Sequence, residues 1–359
     1  MPLGPRVCCG IFALVAFLLV GIAQPGEACS TFCVQEGERI LFGKNYDWHF
    51  GDGLLVVNPR NVDRRADTLP LRPAARWRVR FGSVTFNQYG RELPTGGINE
   101  AGLVVELMWL DATRYPEPDG RPIVSGVQWI QYQLDTASTV AEVVASDRRV
   151  RIDRASPLHF LVADRSGAVA TVEFLDGRMV VHQQETLPVP VLTNSTYERS
   201  VAYLERLETE ASPTPRNSES LVRFARLGRY LDREGEGPWT IERAFEALAG
   251  VAQGSYTQWS IVYEIDALRI HFQTRESPRI KTLDLADVDF SCRSRARVLD
   301  LHHDAEGDVA DDLVPYSSQQ NRELVGIAYG STAFLADVPS HELDRIARLS
   351  DRLVCHGDR

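Results

Sequence analysis

Strand-like and helix-like stretches in this chain arrive in blocks rather than one by one. That order argues against a doubly wound parallel sheet, in which the two types alternate. The first block is β. Residues 30–35 and 39–45 flank the hairpin turn Glu36-Gly37-Glu38, 54–58 and 77–87 follow, and 102–110 comes after a turn at Gly96-Gly97-Ile98-Asn99. Two helices come next, one with apolar Val127, Ile130 and Leu134, the other starting at Thr139 with Glu142 completing a capping box. A strand meander (158–163, 169–174, 179–182, 189–193) leads to helices at 198–207, 218–231 and 241–248, then to strands at 259–264, 269–274 and 279–283. The tail carries helices at 319–328 and 341–353, the second with Ser340 as N-cap, and the polar stretch 209–218 with its two prolines reads as a surface loop. Antiparallel sheets covered by helices, an α+β arrangement in a single domain over 29–359, is the expectation. A C-terminal extension begins at about residue 292.

Residues 1–28 are different material. Arg6 opens the segment, no charge occurs from Val7 to Pro25, and small residues Gly26 and Ala28 stand at −3 and −1 before Cys29. This is the pattern of a secretory signal peptide, and its apolar core is short for a membrane-spanning helix. A secreted or periplasmic protein without stable membrane insertion is expected. Removal of the segment takes Cys8 and Cys9 with it and leaves Cys29, Cys33, Cys292 and Cys355. In an oxidising compartment Cys292 and Cys355 could pair. The whole chain has 44% hydrophobic and 25% charged residues, the balance of a protein that buries a full core. Its net charge of −10 repels phosphate backbones and speaks against a nucleic-acid partner.

Cleavage after Ala28 would make Cys29 the first residue. Its thiol would then sit beside a free α-amine, whose ordinary pKa of about 7.7–8.0 suits it to act as base for its own side chain. Three rivals stand beside this reading: an acylated lipoprotein cysteine, which usually follows an aliphatic residue at −3 rather than Gly26, a structural disulfide, and a papain-type Cys–His pair, for which no local signature exists. The phosphate-loop mimic at 37–45 has one residue too many and ends on Asn45 where Ser or Thr is needed. His302, His303, Asp304, Glu306 and Asp308 could hold a metal, but more often form a solvated turn.

The short motifs point further. Cys29-Ser30-Thr31-Phe32, Gly43-Lys44-Asn45-Tyr46-Asp47-Trp48, Gly97 to Leu103, Leu192-Thr193-Asn194-Ser195, Arg223-Phe224 and Thr257-Gln258-Trp259 occur in one order behind the leader. In this the chain resembles the choloylglycine hydrolase and penicillin V acylase family of N-terminal-nucleophile hydrolases, which cleave linear amides. The resemblance implies a four-layer αββα sandwich. It also implies Cys29 as nucleophile with its amine as base, Asp47 as the residue orienting that amine, Asn194 as oxyanion donor, and Arg223 as a cation near the thiol. No metal or organic cofactor is implied, and the partner is a small-molecule N-acyl amide substrate.

Lys44 departs from the family, which often has Arg there. A lysine keeps the charge without the planar fork, and a plain surface lysine in a hairpin is the alternative. Trp48 and Trp109 match the pattern of the Gram-negative penicillin V acylases and would form an apolar acyl slot, against the alternative of two core aromatics. Bile salts are disfavoured by Trp109. A binding protein of the same fold without turnover, or an acyltransferase, are the competing functions. The tail helices could pack on the core or serve a homo-oligomer interface.

Overall fold

Two sheets stack face to face. One holds seven strands in the order Val191–Leu192, Ser30–Glu36, Arg39–Asp47, Thr257–Glu264, Arg269–Thr274, Lys281–Asp284 and Gly307–Asp308. The other holds nine, from Arg178–Gln183 through Val169–Leu175, Leu158–Ala163, Val104–Trp109, Pro94–Asn99, Ser83–Asn87, Leu54–Asn58 and Arg297–Asp300 to Val314–Pro315. The computed structural model describes residues 29–68, 72–153, 156–209, 219–232 and 237–357. The expected leader, 1–28, and nearly all of the expected loop at 209–218 lie outside the described residues.

Within these two sheets the ladders are antiparallel except between Lys281–Asp284 and Gly307–Asp308. Between the sheets lies a core in which Tyr263 of one, packed edge-on with Phe42, meets Phe86 of the other. Strand Arg39–Asp47 is buried along all but its first residue, because it is covered on one face by the second sheet and on the other by helices. Helices α1 (Gly126–Thr136) and α2 (Val140–Ala145) cover the nine-stranded sheet, with Trp129 packed on Phe160 at 4.4 Å between ring centroids. Helices α3 (Tyr197–Thr209), α4 (Ser220–Leu231) and α5 (Ile241–Ala249) lie on the seven-stranded side, where Phe224 and Leu248 join the main core. The layers therefore run helix, sheet, sheet, helix.

Several local expectations are corrected. Gly96-Gly97-Ile98-Asn99 is no turn but most of strand Pro94–Asn99. A Cβ at Gly96 would fall on the Glu106 carboxyl, and one at Gly97 on the Val84 carbonyl, so the glycines serve close approach rather than chain reversal. The run 77–87 splits in two, because Arg80 and Phe81 both donate their backbone N–H groups to the Asp135 carbonyl. Its first part, Arg76–Arg78, joins a small sheet with Val62–Arg65 and Val354–Cys355 instead. The fourth meander strand shrinks to Val191–Leu192 and pairs with Ser30–Glu36 in the other sheet. Pro188 and Pro190 supply no N–H for a longer ladder. The Thr139 side chain caps α2, but Glu142 reaches back to Ser138 rather than to Thr139.

In the tail, α6 spans Ser318–Ser331 and α7 spans Ser340–Ala347, with Pro339 rather than Ser340 at the N-cap. The chain beyond residue 292 is no appendage. It adds edge strands to both sheets, and Cys292 and Cys355 form a disulfide that pins the last strand beside Val62–Arg65.

Candidate active site

Cys29 immediately precedes strand Ser30–Glu36, whose register sets Ser30 opposite Asn45 and Thr31 opposite Lys44. The hairpin therefore brings Cys29 to the end of strand Arg39–Asp47 without any long-range contact. Alternation along that strand sends Lys44 towards the facing sheet and Asn45 towards the helices, where its amide donates to the Leu248 carbonyl at 2.8 Å. Burial pushes the Cys29 thiol up from its ordinary range. The Lys44 ammonium pulls it down, the Asp47 charge raises it, and the Asp47 backbone N–H and the Lys44 ammonium lower it by hydrogen bonding to the sulfur.

Lys44 is fully buried, so the surface-lysine reading is excluded. Its ammonium donates to the Leu107 carbonyl, lies 3.6 Å from the Met108 sulfur, and stands 3.8 Å from Glu106 Oε2. Tyr263 donates its hydroxyl to Glu106 Oε1 at 2.6 Å. Burial raises the Glu106 carboxyl to about 7 despite the nearby Lys44 charge and the Tyr263 hydrogen bond. Sequence reasoning missed this carboxylate, although a lone acid inside Val104-Val105-Glu106-Leu107-Met108-Trp109 was a usable signal. Removing one partner of a buried pair typically costs about 3–5 kcal/mol, because the other is left without a counter-charge.

Asp47 is also fully buried. Thr257 donates to its Oδ1 at 2.5 Å and Gln253 to its Oδ2 at 2.9 Å. Burial pushes the carboxyl up, and Arg223, these two donors and Lys44 hold it down. Gln253 was not anticipated. Arg223 reaches from α4 into the same region, donating to the Cys29 carbonyl at 2.7 Å, to Ser30 Oγ at 2.6 Å and to Asn194 Oδ1 at 3.0 Å. With its oxygen held by Arg223, the Asn194 amide turns its N–H groups the other way, and one donates to the Trp109 carbonyl at 2.9 Å. The preceding carbonyl, Thr193, lies 2.7 Å from His159 Nε2, and His159 in turn contacts buried Glu173 at 3.2 Å.

All five residues expected to carry chemistry are thus gathered at one end of the sheets. Beside them opens a cavity of about 240 Å³ that Cys29, Asp47, Trp48 and Trp109 line together. The tryptophans belong to this cavity rather than to the core alone. Most of its other lining is apolar, with Leu93, Leu107, Val127 and Leu158 from the sheet and α1 region and Tyr329, Phe334, Leu335 and Ile346 from the tail. The tail's part in the cavity had no signal in the sequence.

The histidine-rich turn does not gather ligands. His302 Nδ1 lies 3.0 Å from Thr274 Oγ1, His303 is 3.5 Å from Asp312, and Asp304 pairs with Arg279. Among the described residues no group of three or more His, Cys, Asp or Glu side chains is placed to hold a metal ion. No described helix is long and apolar enough to cross a membrane.

The sequence model of the linear amide C–N hydrolases, choloylglycine hydrolase family, matches residues 29–229, more than half of the chain. Penicillin V acylase of Pectobacterium atrosepticum is 27% identical over 63% of this chain and 72% of its own length. The structure of penicillin V acylase from Agrobacterium tumefaciens superposes with a TM-score of 0.69 at 25% identity, covering 80% of this chain and 98% of that one. A variant of conjugated bile acid hydrolase from Clostridium perfringens superposes at 0.63 with 16% identity, over 76% of this chain and 97% of its own, a likeness of fold alone. The fold is that of the N-terminal-nucleophile hydrolases, an α+β sandwich of four layers.

Proposed function

The chain belongs to the choloylglycine hydrolase family of linear amide C–N hydrolases, and on that premise we propose that it cleaves N-acyl amides through Cys29 as an N-terminal nucleophile. The observation that carries the reading is the convergence of Lys44, Asp47, Asn194 and Arg223 around the Cys29 end of an apolar cavity. The family match that begins at Cys29 supports it as well.

In this reading residues 1–28 are removed on export, and the Cys29 nitrogen changes from an amide into an amine with a lone pair. A disulfide between Cys292 and Cys355 supports an oxidising destination outside the cytoplasm. The amine takes the thiol proton as sulfur attacks the acyl carbonyl. The buried Lys44 charge favours the thiolate, and Asp47, held by Thr257 and Gln253, orients the amine. Negative charge develops on the former carbonyl oxygen, where an N–H of Asn194 stabilises it. Collapse breaks the C–N bond, the α-ammonium hands its proton to the departing amine, and a thioester remains. Water, deprotonated by the freed α-amine, attacks the thioester. The C–S bond breaks, the acid leaves, and the thiol recovers its proton.

Two of the relatives are penicillin V acylases, so penicillin V is the first amide to offer. The test is intact-mass analysis of the secreted protein before and after brief incubation with penicillin V and a panel of aliphatic N-acyl amides. A mass starting at Cys29 that transiently gains one acyl group is expected. A chain that starts elsewhere, or a lipid on Cys29, removes the free amine and with it this mechanism.

A further inference from the structure

The tail segment that lines part of the cavity lies outside the matched residues 29–229. Tyr329 ends α6 near the cavity, Phe334 and Leu335 sit between α6 and α7, and Ile346 comes from α7. Phe334 lies 5.9 Å from Trp109, ring centroid to centroid, so the tail touches the same indole whose backbone carbonyl holds the Asn194 amide.

The tail is attached to this end of the molecule at several places. His49 Nε2 lies 2.7 Å from the Ser331 carbonyl, one residue beyond Trp48. Tyr89 packs edge-on against Tyr329 with its hydroxyl 3.2 Å from Thr332 Oγ1, and Arg345 pairs with Asp67. Asp67 is itself held by a hydrogen bond from its backbone N–H to Gln128 at 2.8 Å. These anchors lie in loops flanking the nucleophile, so the wall's position is referred to the site and not merely to the surface of the domain.

We propose that Phe334, Leu335 and Ile346 form a wall of the pocket that receives the acyl group, and that they set how long an acyl group it takes. The proposal rests on the amide-hydrolase reading for its biological meaning, but the wall itself can be tested without turnover. The cavity of about 240 Å³ is lined mostly by apolar side chains. Each methylene transferred from water into such a lining improves affinity about fourfold. A second carboxylate among these side chains has no such gain, since it would lose its water and meet the Asp67 carboxyl that also lines the cavity.

The probes are free straight-chain acids from butanoate to dodecanoate, titrated calorimetrically into the mature chain and its variants. In the unaltered protein, affinity rises about fourfold per methylene until the chain reaches this wall and then levels off or falls. Phe334→Ala and Ile346→Ala lower the octanoate-to-butanoate affinity ratio about tenfold. Ile346→Trp, which fills the same end, moves the break to shorter acids. Ile327→Ala changes an α6 residue that is 45% exposed and absent from the cavity lining, and it keeps the unaltered ratio. Phe334 is 56% exposed, so its truncation spares the core. An unaltered ratio in both Phe334→Ala and Ile346→Trp, or no rise with chain length in the parent protein, overturns the proposal. A normal length profile in a protein that turns over no N-acyl amide overturns the amide-hydrolase reading and leaves the wall standing.

Discussion

At the floor of the cavity Lys44, Asp47 and Arg223 are fully buried, while at its outer wall Phe334 keeps 56% of its surface exposed. The floor is held by charges and hydrogen bonds among residues brought together by two central strands and a helix. The wall is held by ring contacts, the hydrogen bonds at Ser331 and Thr332, an ion pair to Asp67 and, further along the chain, the Cys292–Cys355 disulfide. The physical consequence differs at the two ends. A buried charge that loses its partner is costly, so the floor tolerates little change, whereas exposed aromatic and ionic contacts are each worth about 1 kcal/mol or less and can be altered singly. One cavity thus combines a rigid end, suited to bond making, with an adaptable end, suited to choosing what enters.

The largest expected effect separates the two ends by stability. The disulfide closes a loop with a sequence separation of 63, for which chain-entropy reasoning gives about 4 kcal/mol. Replacing Cys292 and Cys355 by Ser should lower the unfolding free energy in denaturant by that order. Well below the unfolding midpoint, acylation of Cys29 by an amide with a short acyl group should proceed at nearly its original rate. A matching collapse of that rate would mean that the tail holds the floor as well as the wall, and the contrast would break.

Next in size is a change at the floor. Asn194→Ala removes the amide that bridges Arg223 and the Trp109 carbonyl. In the proposed mechanism this takes away an oxyanion donor, and kcat should fall about 100- to 1000-fold. The unfolding free energy should fall by only about 1 kcal/mol per lost hydrogen bond. Parallel rate and denaturation measurements check both halves. A small rate loss with a large stability loss would make Asn194 a brace for Arg223 instead.

The contrast also accounts for what could be read in advance. Cys29, Lys44, Asp47, Asn194 and Arg223 sit in short recognisable motifs; hairpin register carries Cys29 to Asp47, while Asn194 and Arg223 arrive through the pairing of Val191–Leu192 with Ser30–Glu36 and through α4. Residues whose meaning is tertiary were misread or unseen. Gly96-Gly97 has the composition of a turn, yet its cause is the approach of Glu106 and of the neighbouring backbone. Glu106 becomes informative only once Lys44 is known to point between the sheets. Phe334 and Leu335 lie in a stretch with neither strand nor helix periodicity, and nothing local says that they face Trp109.

The smallest expected effect sharpens the account of the floor. Burial raises the Glu106 carboxyl from its ordinary range to about 7, so the folded protein holds a proton there that the unfolded chain has already released. Stability contributed by this group is therefore present at low pH and declines as pH rises from about 4.5 to about 7, at up to about 1.4 kcal/mol per pH unit. Glu106→Gln should flatten that slope, its single amide oxygen accepting from Tyr263, and above pH 7 it leaves Lys44 without a counter-charge. The same change bears on the thiol. Above pH 7 the Glu106 carboxylate offsets part of the Lys44 charge that favours the Cys29 thiolate, so Glu106→Gln should move thiol ionisation to lower pH. The rate of Cys29 alkylation by iodoacetamide against pH reads this directly. An unchanged alkylation profile with a flattened stability slope would restrict Glu106 to balancing Lys44 in the fold. A shift in both would make the carboxylate a positioning residue whose proton, near neutral pH, sets how much of the Lys44 charge reaches the sulfur.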